Sequence, residues 1–483
     1  MNRRDMLKVL PAAALGFTLP TDSRTENSLY NKDYTSSLAF GYIGKVTDML
    51  THIRETQMEN MMAAAFTAAR TIARGGICWS QWDLGHSLEG DLFAGRDGLP
   101  AIFTIGYDTK RSKKGDMILT NIYGGDRPDI EKKDVVVVGG PAPWGLDVPG
   151  AETIEMESAR RNRIRDYADI WIDTGITVEG PVMKIPGMPH KAGPVSGILG
   201  EVTIWMLMAE TCRLLALDGK SVPVSGDEPK LEGKDIPWIA PHTPIMEDYL
   251  TLVLEQFELI GAEYGSVRKI AVMAVDTILK GKNVYTYNAH QYIAEEANTR
   301  RGGLALGRGT YEADGKLIYR GAIPNHELRV NFDDYPHEGD MVIMSHVKPD
   351  DKKDLAYLDK FRSCKMKVAT IGPMTRSIPL VKGGERTADP HIVEGRILPH
   401  ESDVHLGRMC DTWGLYAVPG FERRICPTTG PLVLQMYWTV VMEIIEEVIR
   451  RTGNIPYVFP NVAQKNMMER MYRFHKMSID RGY

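Results

Sequence analysis

The chain of 483 residues contains an internal repeat at a constant offset of 233 residues. The segment Pro186–Pro194 aligns without gaps with Pro419–Pro427. The same offset then pairs Ser196 with Thr429, Gly197 with Gly430, Glu210 with Glu443 and Pro223 with Pro456. A repeat of this length fixes the architecture before any single motif does. The sequence therefore predicts two copies of one domain rather than one large core.

Upstream of this segment the two halves share further landmarks, separated by small insertions. The alignment pairs Gly76–Trp79 with Lys282–Tyr285, His86 with His290, Arg96–Leu99 with Arg301–Leu304, and Asp134–Val138 with Asp340–Met344. Each half is thus predicted to carry the same elements in the same order.

Helical and strand patterns alternate along each half. Apolar positions three and four apart predict helices over 43–74, 197–217, 247–280 and 432–451. Short apolar runs bounded by Gly or Asp predict buried parallel strands at 77–79, 135–138, 170–172, 284–287, 342–344 and 368–371. The pattern indicates an α/β fold with two mainly parallel sheets.

The boundaries follow from the repeat and from composition. We predict an export-signal-like segment at 1–25, a first domain at 40–225, a proline-rich linker at 226–245, a second domain at 246–462 and a helical tail at 463–483.

The N-terminus resembles a twin-arginine export signal. Arg3 and Arg4 precede Asp5, Met6 and Leu7, and an apolar run extends to residue 19. This pattern predicts a periplasmic or otherwise extracytoplasmic protein, with retention of the segment as an anchor left open. The alternative is a cytoplasmic protein with an amphipathic N-terminus.

Charge and cysteine content exclude several classes. The net charge of −5 gives no basic surplus for binding nucleic acid. The five cysteines are far apart, and the histidine spacings match no standard metal site. No nucleotide-binding glycine loop is present either, so we predict no cofactor and no metal.

The ordered motifs of the first half resemble the sugar isomerase (SIS) domain family, in particular a bacterial sugar-isomerase-like branch of unassigned activity. The matching residues are Gly75–Gly76, Gly85–Ser87, Glu89, Arg96–Gly98, Ala168–Asp173, Pro186–Gly187 and Gly193–Ser196. This resemblance implies doubly wound, flavodoxin-like or Rossmann-like α-β-α domains of three layers. It also implies domains that pair, and therefore an internal pseudo-dimer, with a homodimer as the alternative.

The family holds sugar phosphates with loops rich in Ser and Thr. In this chain the run after Val138 is Gly139–Trp144 and has no hydroxyl, and the second half keeps only Ser345 and His346 after its corresponding strand. The loss of hydroxyls favours an unphosphorylated sugar or sugar derivative as the ligand.

Polar residues that follow predicted strands are the candidate site, because ligands bind at the carboxyl edge of α/β sheets. The predicted catalytic residues are His86, Glu89, His290, Glu295 and Glu296. The predicted substrate-binding residues are Ser87, Asp91, Arg96, Ser196, Arg301, Ser345, His346, Thr428 and Thr429. The structural alternative is that the acids and hydroxyls only cap helices and that the arginines form surface ion pairs.

Three functions remain open from the sequence. The first is a sugar isomerase of aldose–ketose type, which transfers a proton between adjacent carbons of an open-chain sugar, phosphorylated or not. The second is a non-catalytic protein that binds or senses a carbohydrate derivative. The third is a scaffold in which one degenerate half supports the other.

Overall fold

The computed structural model describes residues 37–81, 97–108, 110–120, 136–139, 168–176, 180–188, 190–226, 230–231, 244–288, 308–313, 316–320, 337–374, 376–382, 385–391, 395–408 and 414–458, and the single residues 293, 297, 303, 304 and 477. The predicted export segment lies outside these residues. None of the helices within them is long and apolar enough to cross a membrane.

The first half begins with two consecutive helices and continues into a parallel sheet. Its elements are α1 (Leu38–Thr56), α2 (Met58–Ala73), β1 (Cys78–Gln81), β2 (Phe103–Ile105), β3 (Met117–Thr120), β4 (Val136–Gly139), β5 (Ile170–Trp171) and α3 (Ser196–Leu217). The five strands are all parallel and lie in the order β2-β1-β3-β4-β5. This order is one of the two common doubly wound arrangements.

The second half repeats this plan. Its elements are α4 (Ile245–Ala262), α5 (Tyr264–Ile278), β6 (Val284–Asn288), β7 (Arg308–Ala313), β8 (Lys316–Arg320), β9 (Met341–Ser345), α6 (Lys352–Ser363), β10 (Lys367–Ile371), β11 (Arg376–Lys382), β12 (Glu385–His391), α7 (Leu398–Glu401), β13 (Val404–Leu406) and α8 (Thr429–Thr452). Its sheet has the order β13-β10-β9-β6-β7-β8, and only β8 is antiparallel to its neighbour. Without β8 the order is that of the first sheet.

The structure confirms the duplication. An isolated antiparallel bridge joins Met183 to Ala192 in the first half, and another joins Tyr416 to Ile425 in the second. Both members of the second bridge are displaced by 233 residues from those of the first (416 − 183 and 425 − 192). The offset found in the sequence is therefore also the offset of tertiary pairing.

One part of the sequence alignment is wrong. Asp134–Val138 was matched with Asp340–Met344, but the strand beside β1 is β3, which follows Asp116. Asp116 accepts the backbone N–H groups of Ile77 (2.9 Å) and Lys113 (3.0 Å). Asp340 accepts those of Asn283 (2.8 Å) and His337 (2.9 Å) in the same way.

The strand of the first half that corresponds to β9 is therefore β3. Val136–Gly139 (β4) is the fourth strand of the first sheet. The four consecutive valines at 135–138 have a stronger strand pattern than Met117–Thr120. For this reason the sequence pattern matches Asp340–Met344 with the valines and not with β3. The hydroxyl-free segment after Val138 follows the fourth strand. That segment is therefore not the counterpart of Ser345 and His346. Their counterparts follow Thr120 and lie outside the described ranges.

Helices from both halves form one continuous core. Helix α1 of the first half packs against α8 of the second, and α4 of the second half packs reciprocally against α3 of the first. Helix α3 is buried around almost its whole circumference, as expected of a helix with neighbours on every side. This reciprocal packing is the arrangement expected of an internal pseudo-dimer.

Two carboxylates join the halves at this core. Glu210 of α3 accepts the backbone N–H of Ile245 at the start of α4 (2.9 Å). Glu446 of α8 accepts the backbone N–H of Leu38 at the start of α1 (2.6 Å). Each carboxylate therefore satisfies a donor that a helix start leaves unpaired and complements the helix dipole.

The end of the predicted first domain is part of the fold. Val224 forms a bridge with Pro100, and Ser225 accepts the backbone N–H of Gly98 (3.1 Å). The domain boundaries, the linker at 226–245 and the helical tail stay predictions. Of the cysteines, Cys78, Cys212 and Cys426 are buried thiols, Cys364 is partly exposed, and Cys410 lies outside the described ranges.

Candidate functional site

Most of the predicted site residues lie outside the described residues. These are His86, Ser87, Glu89, Asp91, Arg96, His290, Glu295, Glu296 and Arg301. The structure describes Ser196, Ser345, His346, Thr428 and Thr429.

Ser345 and His346 lie at the carboxyl end of β9. Ser345 is opposite Asn288 of β6, at the point where the order of strands in the sheet reverses. Ser345 and His346 are both buried, and the Oγ of Ser345 has no hydrogen-bond partner. Two of the predicted residues are therefore at the position where ligands bind in sheets of this type.

The hydrogen bonds of His346 fix the state of its ring. Nε2 lies 2.9 Å from the carbonyl oxygen of Pro373, which can only accept, so Nε2 carries the proton. Burial lowers the pKa of His346 to about 4, so the ring is neutral at pH 7. Nδ1 is then a bare acceptor, and it is buried without a partner.

His405, the middle residue of β13, is a second imidazole near this edge, and it is half-buried. Ser402 Oγ donates to the carbonyl of Pro399 (3.1 Å), and Thr370 Oγ1 donates to Ser402 Oγ (2.9 Å). The Thr370 hydroxyl has then used its proton and accepts one from His405 Nδ1 at 3.0 Å. Nε2 of His405 is therefore the bare nitrogen, and it too is buried without a partner.

These two rings form what we call the imidazole pair, His346 and His405. Their centroids are 5.8 Å apart and the rings are tilted by 35°. Burial, and then the neighbouring His346, lower the pKa of His405 to about 3. The pair therefore presents two neutral acceptor nitrogens, each left bare because its own neighbours consume the only ring N–H. An unpaired buried acceptor costs stability, which makes it a candidate for ligand binding.

His405 is one of the histidines whose spacing matches no standard metal site, and it was not among the predicted site residues. A usable signal was present, because Ser402–Val404 has the same small-Asp-apolar start as Ala168–Ile170. The structure makes these the fifth strands of their sheets. A histidine one residue further along such a strand lies at the carboxyl edge.

Two glycines allow the backbone to approach the imidazole pair. A Cβ on Gly372 would lie 2.3 Å from the carbonyl oxygen of His346 and 3.0 Å from two of its ring carbons. A Cβ on Gly407 would lie 2.3 Å from the carbonyl oxygen of Gly372. The strand ends β9, β10 and β13 therefore pack closely only because both positions lack a side chain.

The β13 end is held by a carboxylate from the helical layer. Glu263, between α4 and α5, accepts the backbone N–H groups of Gly407 (3.1 Å) and Arg408 (2.9 Å). Burial raises the pKa of Glu263, although these two bonds act in the opposite direction. The contact fixes the segment that follows His405.

The loop between β9 and α6 carries charge that is already compensated. Lys348 forms an ion pair of 2.8 Å with Asp97 of the first half. Asp351 caps α6, accepting the backbone N–H groups of Lys353 (2.9 Å) and Asp354 (3.1 Å). The first half thus contributes a residue next to the second-half site.

The other described candidates lie at helix starts. Ser196 is the first residue of α3, and the helix has no side-chain cap. Thr428 precedes α8, but its Oγ1 is buried and makes no capping bond, while Thr429 is the first helical residue and fully buried. Neither helix start is therefore capped by the side chain of its N-cap residue, Val195 or Thr428. The role of Ser196, Thr428 and Thr429 as ligand contacts stays a prediction.

The polar atoms that the site leaves unpaired are two imidazole nitrogens and a serine hydroxyl. Such atoms suit a ligand with several hydroxyl donors. Among the residues the structure describes, no group of three or more His, Cys, Asp or Glu side chains could hold a metal ion.

We expect the imidazole pair to make stability fall below neutral pH. Both rings are neutral when folded, with pKa values of about 4 and 3, whereas an unfolded histidine titrates near 6.5. Between pH 6.5 and 4 the unfolded chain therefore binds more protons, and stability is lost as the pH falls, by up to about 1.4 kcal/mol per pH unit for each ring. Urea unfolding at pH 7, 6 and 5 would measure this. The decrease in unfolding free energy between pH 7 and pH 5 should be clearly smaller in His405→Gln than in the unchanged protein. In His400→Gln, which replaces an exposed histidine, it should be the same as in the unchanged protein. Equal decreases in all three proteins would contradict the neutral state assigned to His405.

No family model matches this sequence, and no curated protein matches it either. Solved structures do show similarity. The C-terminal domain of glucosamine-fructose-6-phosphate aminotransferase from Francisella tularensis matches over 86% of this chain and 97% of its own, with a TM-score of 0.41 and 10% identity. A candidate phosphosugar isomerase from Clostridium difficile 630 matches over 89% and 97%, with a TM-score of 0.45 and 9% identity. Glucosamine-6-phosphate deaminase from Thermotoga maritima matches over 89% and 99%, with a TM-score of 0.38 and 11% identity.

These similarities are distant, and the fold assignment rests on the strand order and the repeat. The chain is a tandem α/β protein with two mainly parallel sheets of the same doubly wound order. The fold class predicted from the sequence is confirmed, and the resemblance to sugar isomerase domains is a resemblance of fold.

Proposed function

We propose that this protein binds a sugar or sugar derivative at the carboxyl edge of its second sheet and isomerises it by proton transfer in the open-chain form. The imidazole pair is the observation that best supports the binding step. His346 Nδ1 and His405 Nε2 accept hydrogen bonds from ligand hydroxyls, and Ser345 supplies a third polar contact.

The proton-transfer step is assigned to the titratable residues predicted from the sequence. A carboxylate or imidazole among Glu89, His86, His290, Glu295 and Glu296 removes the proton from carbon, and an acid polarises the carbonyl oxygen. The imidazole pair itself is poorly suited to this step, since a ring with a pKa of about 4 or 3 is a weak base.

That low basicity also favours the second function, binding without turnover. A pair of permanently neutral acceptors recognises hydroxyls equally well in a protein that only senses its ligand. The two functions share the binding site and differ in whether a product forms.

We expect free sugars to stabilise the protein against thermal unfolding. A ligand that binds only the folded state stabilises it by about 2.7 kcal/mol at a hundredfold excess over its Kd. A thermal-shift screen of aldoses, ketoses, sugar acids and amino sugars measures this, followed by proton NMR of each stabilising sugar in deuterated water to detect exchange at carbon and product.

His405→Gln should weaken the binding of every stabilising sugar about tenfold, the effect of losing one hydrogen bond in a buried site. His400→Gln, an exposed neighbour on α7, is the matched control and should bind as the unchanged protein does. Sugar binding that survives His405→Gln intact would contradict the proposed site. Binding without exchange or product would leave the sensory function.

A further inference from the structure

We propose that the second-half site selects unphosphorylated sugars and that Asp351 is the residue that sets this specificity. This inference rests on the proposed function and adds the class of substrate. It concerns the segment from Ser345 to Asp354, which leaves β9 and enters α6.

The N-terminus of α6 is at the sheet edge where an anionic ligand would bind. A helix of 12 residues such as α6 offers free backbone N–H groups and a favourable dipole to a phosphate. In this chain a carboxylate already occupies that position, because Asp351 Oδ1 accepts from both Lys353 and Asp354. A phosphate approaching the same turn would lose those donors and meet a like charge.

The cations near this segment are also engaged. Lys348, the cation of the loop, is paired with Asp97, and both side chains are largely buried. Arg408, which follows β13, lies within electrostatic reach of the Glu263 carboxylate. Lys348 and Arg408 therefore each already have a protein carboxylate beside them.

What the edge leaves open is a set of unpaired polar atoms. Ser345 Oγ, His346 Nδ1 and His405 Nε2 are all buried without a hydrogen-bond partner. Asp351 is close enough to His346 to act on it electrostatically. Two bare nitrogens beside an anion accept from hydroxyl groups and repel a phosphate ester, so the complementary ligand is a neutral polyol.

The test compares Asp351→Gly with the unchanged protein. Removing the side chain frees two N–H groups and one negative charge, and glycine is tolerated at helix N-caps. Ser37→Gly is the matched control, because Ser37 caps α1 in the same way and accepts the N–H of Phe40. Calorimetric titrations at pH 7 use inorganic phosphate, glucose, glucose 6-phosphate, fructose and fructose 6-phosphate.

We expect the unchanged protein and Ser37→Gly to bind each phosphate ester at least tenfold more weakly than the best free sugar. Asp351→Gly should bind inorganic phosphate at least tenfold more tightly than either. Phosphate esters that bind the unchanged protein as tightly as free sugars would overturn the inference, as would Asp351→Gly with no gain for phosphate. A protein that binds neither free sugars nor phosphate esters would overturn the proposed function. In that case, tighter binding of inorganic phosphate by Asp351→Gly would still show that the Asp351 side chain prevents an anion from binding at the start of α6.

Discussion

Replacing Glu210 by alanine is expected to destabilise the protein by about 3–5 kcal/mol, the effect of removing one partner of a buried ion pair. Glu210 is fully buried in α3 and binds Arg213 through Nε (2.9 Å) and Nη2. Its second oxygen accepts the N–H of Ile245. The variant therefore removes the Glu210 acceptor from a buried guanidinium and from a helix-start N–H.

Urea unfolding followed by circular dichroism would measure the loss. The double variant Glu210→Met with Arg213→Met should recover most of it, because replacing a whole buried pair with apolar side chains is often neutral. Glu338→Gln is the control for an exposed pair, since Glu338 meets Lys365 in solvent and should have no measurable effect. A Glu210→Ala protein as stable as the control would show that the Glu210 carboxylate does not stabilise the contact between the halves.

Replacing Gly372 by alanine is expected to cost about 3 kcal/mol or more and to abolish sugar binding. The new Cβ would lie 2.3 Å from the carbonyl oxygen of His346, a backbone atom that can move only with β9. The φ angle of Gly372, 153°, is also one that side chains rarely adopt. Relief of the contact requires His346 to move, and the imidazole pair moves with it.

Gly265→Ala is the matched control for this substitution. Gly265 lies in α5 with open space around its Cβ position, so alanine should stabilise the protein by about 0.5–1 kcal/mol through helix propensity. Thermal unfolding and sugar titration of the two variants give opposite results if the structure is right. Gly372→Ala with normal stability and normal binding would contradict the packing described at the ends of β9 and β10.

Much of the fold could be predicted because it depends on local pattern and on the repeat. The helices around 43–74 and 247–280 begin and end close to the predicted residues, and each splits at one residue into two helices, α1 and α2 or α4 and α5. Glycine ends both pairs, with Gly75 and Gly281 at φ of 72° and 70°. These features depend on side-chain periodicity and on backbone freedom, which are properties of the sequence itself.

The candidate site could be predicted only in part. Ser345 and His346 were found because they directly follow an apolar strand. His405 was missed because its importance comes from Thr370 and Ser402, which lie 35 and 3 residues away in sequence and use up the proton on its Nδ1. The role of Asp351 as a helix cap is local, but its effect on a ligand depends on where α6 begins relative to the sheet edge.

The duplicated α/β architecture of this protein can be read from its amino-acid pattern, because a repeat at one constant offset and alternating apolar runs require no knowledge of distant contacts. Which strands correspond depends on tertiary contacts, since Asp116 and Asp340 are recognised as equivalents by the N–H groups they accept and not by the runs that follow them. Tertiary contacts also decide which nitrogens of the imidazole pair are bare. That depends on a chain of hydrogen bonds between segments brought together by the parallel order of β9, β10 and β13.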